Sequence, residues 1–396
     1  MTLLPFAAFA ALLLSIALML APCGKRVLSG EKQPTLAWLT ALTGAFMAAG
    51  VPFFALEALS FALAENPSAL PQMRFGPLPW AFAALAAGAV CLGGAKRPLW
   101  LRALAAVSAA GALVAALCFL APTASEAFAQ TPAFSGAKLP AWLAAALCLA
   151  AFAALMFVRG RKRFINFALW PALALVMIFL TGSGLLPLLR SLLATVRSFF
   201  SGAFAPAAED GASSGTLAFF AYWLCWSPVL ALHAKRASSG RSVRQTVLGV
   251  YAAGLGAYAL LSAVFGGFGT RLLDSLAAAG ETTLALGSSG AQTMAKLMLS
   301  LPFGSMCAAL LLLSALLTGV AALGTAAEGA AETLLPAGNG RRAAVLCFGG
   351  VCGAAAIGAL YFGASSLGWS VVGYAALPAA AWLLGECVLS VRSLRK

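Results

Sequence analysis

Phe219-Phe220-Ala221-Tyr222-Trp223-Leu224-Cys225-Trp226-Ser227-Pro228 opens a stretch that continues, after four more apolar residues, as His233-Ala234-Lys235-Arg236-Ala237-Ser238-Ser239-Gly240-Arg241-Ser242-Val243-Arg244-Gln245. From 216 to 233 no residue carries a formal charge; four basic residues, Lys235, Arg236, Arg241 and Arg244, then follow almost at once. An uncharged run long enough to cross the hydrocarbon, closed by a short basic loop, reads as a membrane-spanning helix followed by a cytoplasmic turn. The whole chain repeats this pattern. Of 396 residues 62% are hydrophobic and 9% charged, with mean hydropathy +0.96, where a soluble domain carries about a quarter charged residues. Hydrocarbon offers backbone groups no water, so apolar runs of this length form helices. The composition, rich in Ala, Leu and Gly, suits close helix packing in lipid. The fold class is all-α integral membrane.

The net charge of +14 does not make this a nucleic-acid binder, because the basic residues sit in short loops between apolar runs. Nine cysteines, among them Cys91, Cys118, Cys148, Cys307 and Cys347, are scattered within those runs without a CxxC pair, and read as small buried hydrophobes. His233 is the single histidine, so zinc binding and histidine catalysis have almost no raw material. No catalytic residue, metal site or cofactor is expected.

Eleven apolar segments cover 4–22, 36–64, 78–95, 100–122, 140–158, 164–189, 216–233, 246–266, 293–323, 343–363 and 367–391. Every second loop is basic: Lys25, Arg26 and Lys32; Lys96, Arg97 and Arg102; Arg159 to Arg163; Lys235 to Arg244; Arg341 and Arg342; and the tail Arg392, Arg395 and Lys396. Those loops hold nineteen of the 25 basic residues. Short basic loops stay cytoplasmic, which puts the C-terminus in the cytoplasm and, with an odd number of spans, the N-terminus in the periplasm. The first segment lacks the basic n-region of a signal peptide and reads as a span.

The quoted stretch resembles the signature of the betaine/carnitine/choline transporters: a tryptophan-rich helix ending W-S-P, then a basic residue, serine, glycine, a basic residue and a V/I-R-E/Q ending. Further resemblances follow the family's order. Gly24-Lys25-Arg26 is similar to its loop before the first repeat helix, Phe53-Phe54-Ala55-Leu56-Glu57 to F-W-G-V-A-E-P, and Arg74-Phe75-Gly76 with Trp80 to its next helix start. Ser262-Ala263-Val264-Phe265-Gly266-Gly267, Ser300-Leu301-Pro302 and Gly324-Thr325-Ala326 match later motifs. The resemblance implies two five-helix inverted repeats, residues 36–200 and 201–396, preceded by one extra helix and loop in 1–35. It implies a secondary transporter of quaternary-ammonium or related zwitterionic solutes, multi-pass in a bacterial-type inner membrane. The alternative is a non-transporting, sensor-like relative that keeps the fold without ion coupling. The family is often trimeric, so a homotrimer is an expectation. Pro52 and Pro228, mid-span in the first segment of each repeat, predict interrupted helices there, and such paired interruptions point to a midplane site.

A quaternary ammonium has no proton to donate, so desolvated aromatic faces must hold it, each worth about 2 kcal/mol or more when buried. By resemblance Tyr222, Trp223 and Trp226 fall on the family's aromatic box and Trp80 on a neighbouring wall. Ion coupling falls on Ala45, Ala48 and Thr325. The family's glycine-rich stretch is replaced here by Ala45-Phe46-Met47-Ala48-Ala49 between Gly44 and Gly50. Unwound backbone supplies sodium ligands, and alanine unwinds less readily than glycine, so sodium coupling stays open. Among the acids, Glu57 aligns with the family's glutamate and is either functional or a helix tie. Glu386 reads as a helix-pairing acid, and Glu328 and Glu332 as facing cytoplasmic water.

Overall fold

The computed structural model describes residues 3–51, 53, 78–93, 97–134, 137–158, 169–183, 185–193, 214–278, 290–299, 301, 303–335, 340–364 and 367–394. Pro52, Glu57, Arg74 to Gly76, the basic loop at 159–163, Ser300, Pro302, the last two basic residues of the tail and the boundary at 200/201 lie outside them. The helices are α1 (Leu3–Leu20), α2 (Thr35–Ala48), α3 (Pro79–Leu92), α4 (Leu99–Ala129), α5 (Ala141–Leu155) and α6 (Leu169–Ser183). They continue as α7 (Ser214–Ala237), α8 (Val243–Ala278), α9 (Gly290–Leu299), α10 (Gly304–Leu334), α11 (Arg341–Tyr361) and α12 (Leu367–Leu394). Five of these are long and apolar enough to cross a membrane by themselves: α4, α7 from Leu217, α10, α11 and the Ser370–Ser390 part of α12. α1, α2, α3 and α5 are shorter and apolar.

Local chemistry explains the helix starts. Pro34, Pro98 and Pro140 stand at the N-caps of α2, α4 and α5, and Pro79 opens α3. In a first turn proline's missing N–H and fixed φ cost nothing. Hydroxyls stranded in apolar helices bond the preceding turn: Ser108 to Leu104, Thr123 to Phe119 and Ser390 to Glu386, as does Thr131 to Ala127 just past the end of α4.

Helix neighbours come in couples related by exchange of the two five-helix sets. α2 meets α7, α3 meets α8, α4 meets α10 and α5 meets α11. The crossed pairs are mirrored too: α7 on α3 with α2 on α8, α12 on α4 with α6 on α10, and α11 on α4 with α5 on α10. α2 begins at the basic loops, whereas α7 ends at them, so the exchange inverts direction. α1 stands outside both sets and packs mainly on α3.

The basic loops meet at one end of the bundle. Val27 and Ser242 form an antiparallel bridge, flanked by Leu28 N–H to the Arg241 carbonyl at 2.9 Å and Val243 N–H to the Arg26 carbonyl at 2.9 Å. Arg102 donates to the Leu334 carbonyl at 3.3 Å, joining the start of α4 to the end of α10. The loop linking α4 to α5 lies at the other end, where Ser125 donates to the Leu139 carbonyl at 2.6 Å and Trp142 meets Tyr361 edge-on.

Two expectations change. The segment read as 293–323 is two helices, α9 and α10, broken at Phe303, whose φ is +62°. Pro302 provides the reason, since it lacks the N–H a continuing helix needs and restricts the residue before it. α7 is unbroken through Pro228. The Ser227 hydroxyl donates to the Trp223 carbonyl at 2.9 Å beside the gap proline leaves, and the turn is packed in protein on every side. α2 stops at Ala48, followed by Gly50 at a φ of +92° that a side chain tolerates poorly, close to the interruption expected at Pro52, which itself lies outside the described residues.

Candidate functional site

Where α2 ends, the Ala49 carbonyl accepts the Tyr222 hydroxyl at 2.7 Å. This bond ties the stop of the first repeat's leading helix to the middle of the second's. Around it the expected aromatics converge. Trp80 of α3 packs on Trp223 of α7 with ring centroids 4.3 Å apart, and Tyr222 lies 5.6 Å from Trp223 and 6.2 Å from Trp226. All four are essentially inaccessible. The indole N–H groups of Trp80 and Trp226 are buried without a hydrogen-bond partner among the described residues.

Two members were missed from sequence. Phe46 of α2 meets Trp80 edge-on at 4.8 Å, and Tyr258 of α8 lies 6.4 Å from it. Phe46 stood inside the stretch read for its lost glycines, and Tyr258 is one of only five tyrosines in the chain. Both were visible as mid-span aromatics, but nothing local assigned them to Trp80.

The cluster holds no titratable side chain of ordinary pKa near neutrality, and its chemistry is that of π faces and N–H or O–H donors. At 4.3 Å the Trp80 and Trp223 rings touch each other. A cation seated between two faces needs each centroid within about 6 Å on opposite sides, so the rings must part before anything enters.

The three positions expected by resemblance to couple ions come together only in part. Ala45 and Thr325 line one cavity of about 350 Å³ between α2, α7 and α10, shared with His233 and Glu328. Ala48 instead packs against Ala321 of α10. The Ala45 carbonyl accepts the Ala49 N–H at 3.1 Å, so the backbone here is helical and bonded to itself rather than open. His233 shares a 3.0 Å hydrogen bond with the Ala41 carbonyl.

The remaining signature residues fasten the basic loop. Arg241 is 4% exposed, lies 4.0 Å over the Trp38 ring and donates to the Gln33 carbonyl at 2.9 Å. The Trp38 indole donates to Ser238 Oγ at 2.8 Å. Gly240 has φ +72°, and a Cβ there would sit 2.7 Å from the Lys32 backbone nitrogen. Glu386 acts as a helix tie, ion-paired with Arg97 ahead of α4. Glu332 stays partly exposed, as expected, and is ion-paired with Arg236 and Arg341.

The model of the family described as "BCCT, betaine/carnitine/choline family transporter" matches residues 103–396. The chain belongs to this family. Its members carry small solutes across membranes, which is the coarse function of this betaine/carnitine/choline transporter family member. The match spans α7, with Tyr222, Trp223 and Trp226, while Trp80 and α2 precede it. No curated protein matches the sequence. Among solved structures the chain is similar to a manganese transporter of Eremococcus coleocola, crystallised with an aromatic bis-isothiourea substituted compound. The two share 13% identity over 92% of this chain and 80% of that one, with TM-score 0.49, a likeness too low to bear on cargo.

Proposed function

We propose that this chain is a secondary transporter of betaine-, carnitine- or choline-like solutes, working by alternating access with Trp80, Tyr222, Trp223 and Trp226 parting to clasp a cationic headgroup. The observation that carries the reading is the convergence of those four aromatics at the stop of α2, between the repeats. Their closed contact has to open for a solute to enter, and the Tyr222–Ala49 bond is the natural contact to break on opening. The solute is best read as a zwitterion. Ring faces suit its cation, and the indole N–H groups of Trp80 and Trp226, without acceptors among the described residues, suit its carboxylate, because a buried donor left unmatched is costly. Sodium coupling through Ala45, Ala48 and Thr325 has the weaker support, with the Ala45 carbonyl already bonded within α2 and one hydroxyl present. In this reading the N-terminus is periplasmic, the C-terminus cytoplasmic, and the family's trimeric habit extends to this chain.

Counterflow in proteoliposomes tests it. Vesicles preloaded with unlabelled betaine, carnitine or choline should accumulate the labelled solute, and accumulation should be insensitive to replacing sodium with potassium. If none of the three exchanges, while a neutral amino acid does, the substrate class is wrong.

A further inference from the structure

At the basic end a cavity of about 760 Å³ lies among the start of α4 and the ends of α7, α10 and α12. Arg97, Arg102, Lys235 and Arg236 face it against only two acids, Glu332 and Glu386. Both acids already have a cation: Glu332 has Arg236 and Arg341, and Glu386, fully buried, has Arg97 on its Oε1, its Oε2 having no hydrogen-bond partner among the described residues. Two cations are left over. Lys235 has no hydrogen-bond or ion-pair partner among the described residues. Arg102 donates one Nη1 bond to the Leu334 carbonyl, while its Nε is buried without a partner among the described residues. Uncompensated donors of this kind are costly unless something accepts from them.

We infer that this cavity binds a phosphate-bearing anion, presented by an anionic phospholipid headgroup or by a soluble phosphate ester. A tetrahedral oxyanion can accept from the guanidinium edge of Arg102 and the ammonium of Lys235 together, one as a fork and the other as a point charge. Ser239 and Thr333 add hydroxyls, and Leu232, Leu335 and Trp382 give the cavity an apolar wall against which a glycerol backbone can rest. Basic pockets between spanning helices on the cytoplasmic side are where anionic headgroups bind. An anion here would bridge α4, α7 and α10 across both repeats, and so set how readily this end opens. The site is separate from the aromatic cluster and does not depend on which solute is carried.

The test uses the full chain in neutral detergent, with melting temperature read against three probes at constant ionic strength: inorganic phosphate, dihexanoyl-phosphatidylglycerol and dihexanoyl-phosphatidylcholine. Phosphatidylglycerol should raise the melting temperature saturably and phosphatidylcholine should not. An equal rise with inorganic phosphate assigns the site to soluble esters, and a rise with the anionic lipid alone assigns it to the headgroup. Lys235→Gln should melt like the parent without ligand, having lost no partner, yet bind about tenfold or more weaker, while Lys235→Arg should bind like the parent. The inference is overturned if neither anion exceeds a chloride control, if phosphatidylcholine stabilises as well as phosphatidylglycerol, or if Lys235→Gln keeps the parent's affinity.

Discussion

Trp223 and Trp226 lie three positions apart on α7, close enough to share a helix face, and both are buried to the last atom or nearly so. Packing and ligand binding predict different consequences of replacing them. If Trp226 presents its ring face to a cation, Trp226→Phe should weaken betaine binding modestly because a smaller π face remains. Trp226→Leu should abolish it, since the apolar area survives but the quadrupole does not. Ligand-induced thermal shift on variants of matched yield reads this, and a Trp226→Leu protein that binds like the parent makes the ring structural. Tyr222→Phe addresses the neighbouring bond. It leaves the buried Ala49 carbonyl without its 2.7 Å donor, so unfolding stability should fall by about 1–3 kcal/mol, measured by denaturant titration in detergent. An unchanged midpoint would mean that another donor already serves that carbonyl. Of this site the motif named the α7 aromatics that the fold brings against Trp80. That Tyr222 caps a carbonyl 173 positions away could not be read locally, because both partners are unremarkable in their own helices.

The elements divide by how their ends are fixed. Prolines mark helix starts from sequence alone, because in a first turn their chemistry is favourable whatever the surroundings. Inside a segment the same residue is ambiguous: α7 passes Pro228 and the chain breaks beside Pro302. Ser227, which bonds back to Trp223, and dense packing make the difference at 228, and neither is a property of proline. The clasp of Val27–Leu28 on Arg241–Val243 similarly joins two loops far apart in the chain. Gly240→Ala probes it. Left-handed backbone costs a side chain about 1–2 kcal/mol, and the new Cβ would also press on Lys32. The expected result is a lower melting temperature with faster tryptic cleavage at Lys32. If cleavage there is unaltered while the melting temperature drops, the clasp is not what Gly240 supports.

For the whole molecule, orientation is the open consequence of the charge pattern. The described basic loops gather at one end of the bundle, as alternating spans require, and positive loops stay inside. A reporter fused after Lys396 should be active when it needs the cytoplasm and silent when it needs the periplasm, and the opposite pattern would invert the assignment. Membrane residence, all-helical structure and the alternation of basic loops were determined by the sequence itself. Each follows from the local run of hydropathy and charge, and the bilayer imposes the same rule on every segment. The exchange symmetry of the two five-helix sets was legible only through resemblance, since periodicity says nothing of which helices touch. Tertiary structure alone decided the closed contact of Trp80 on Trp223, the Arg97–Glu386 tie across 289 positions, and the surplus of cations around the basic cavity. These depend on how side chains from remote helices fill shared space, where the separation of two rings, 4.3 Å here, is what keeps the Trp80–Trp223 contact closed. The order of residues along one helix carries no record of that distance.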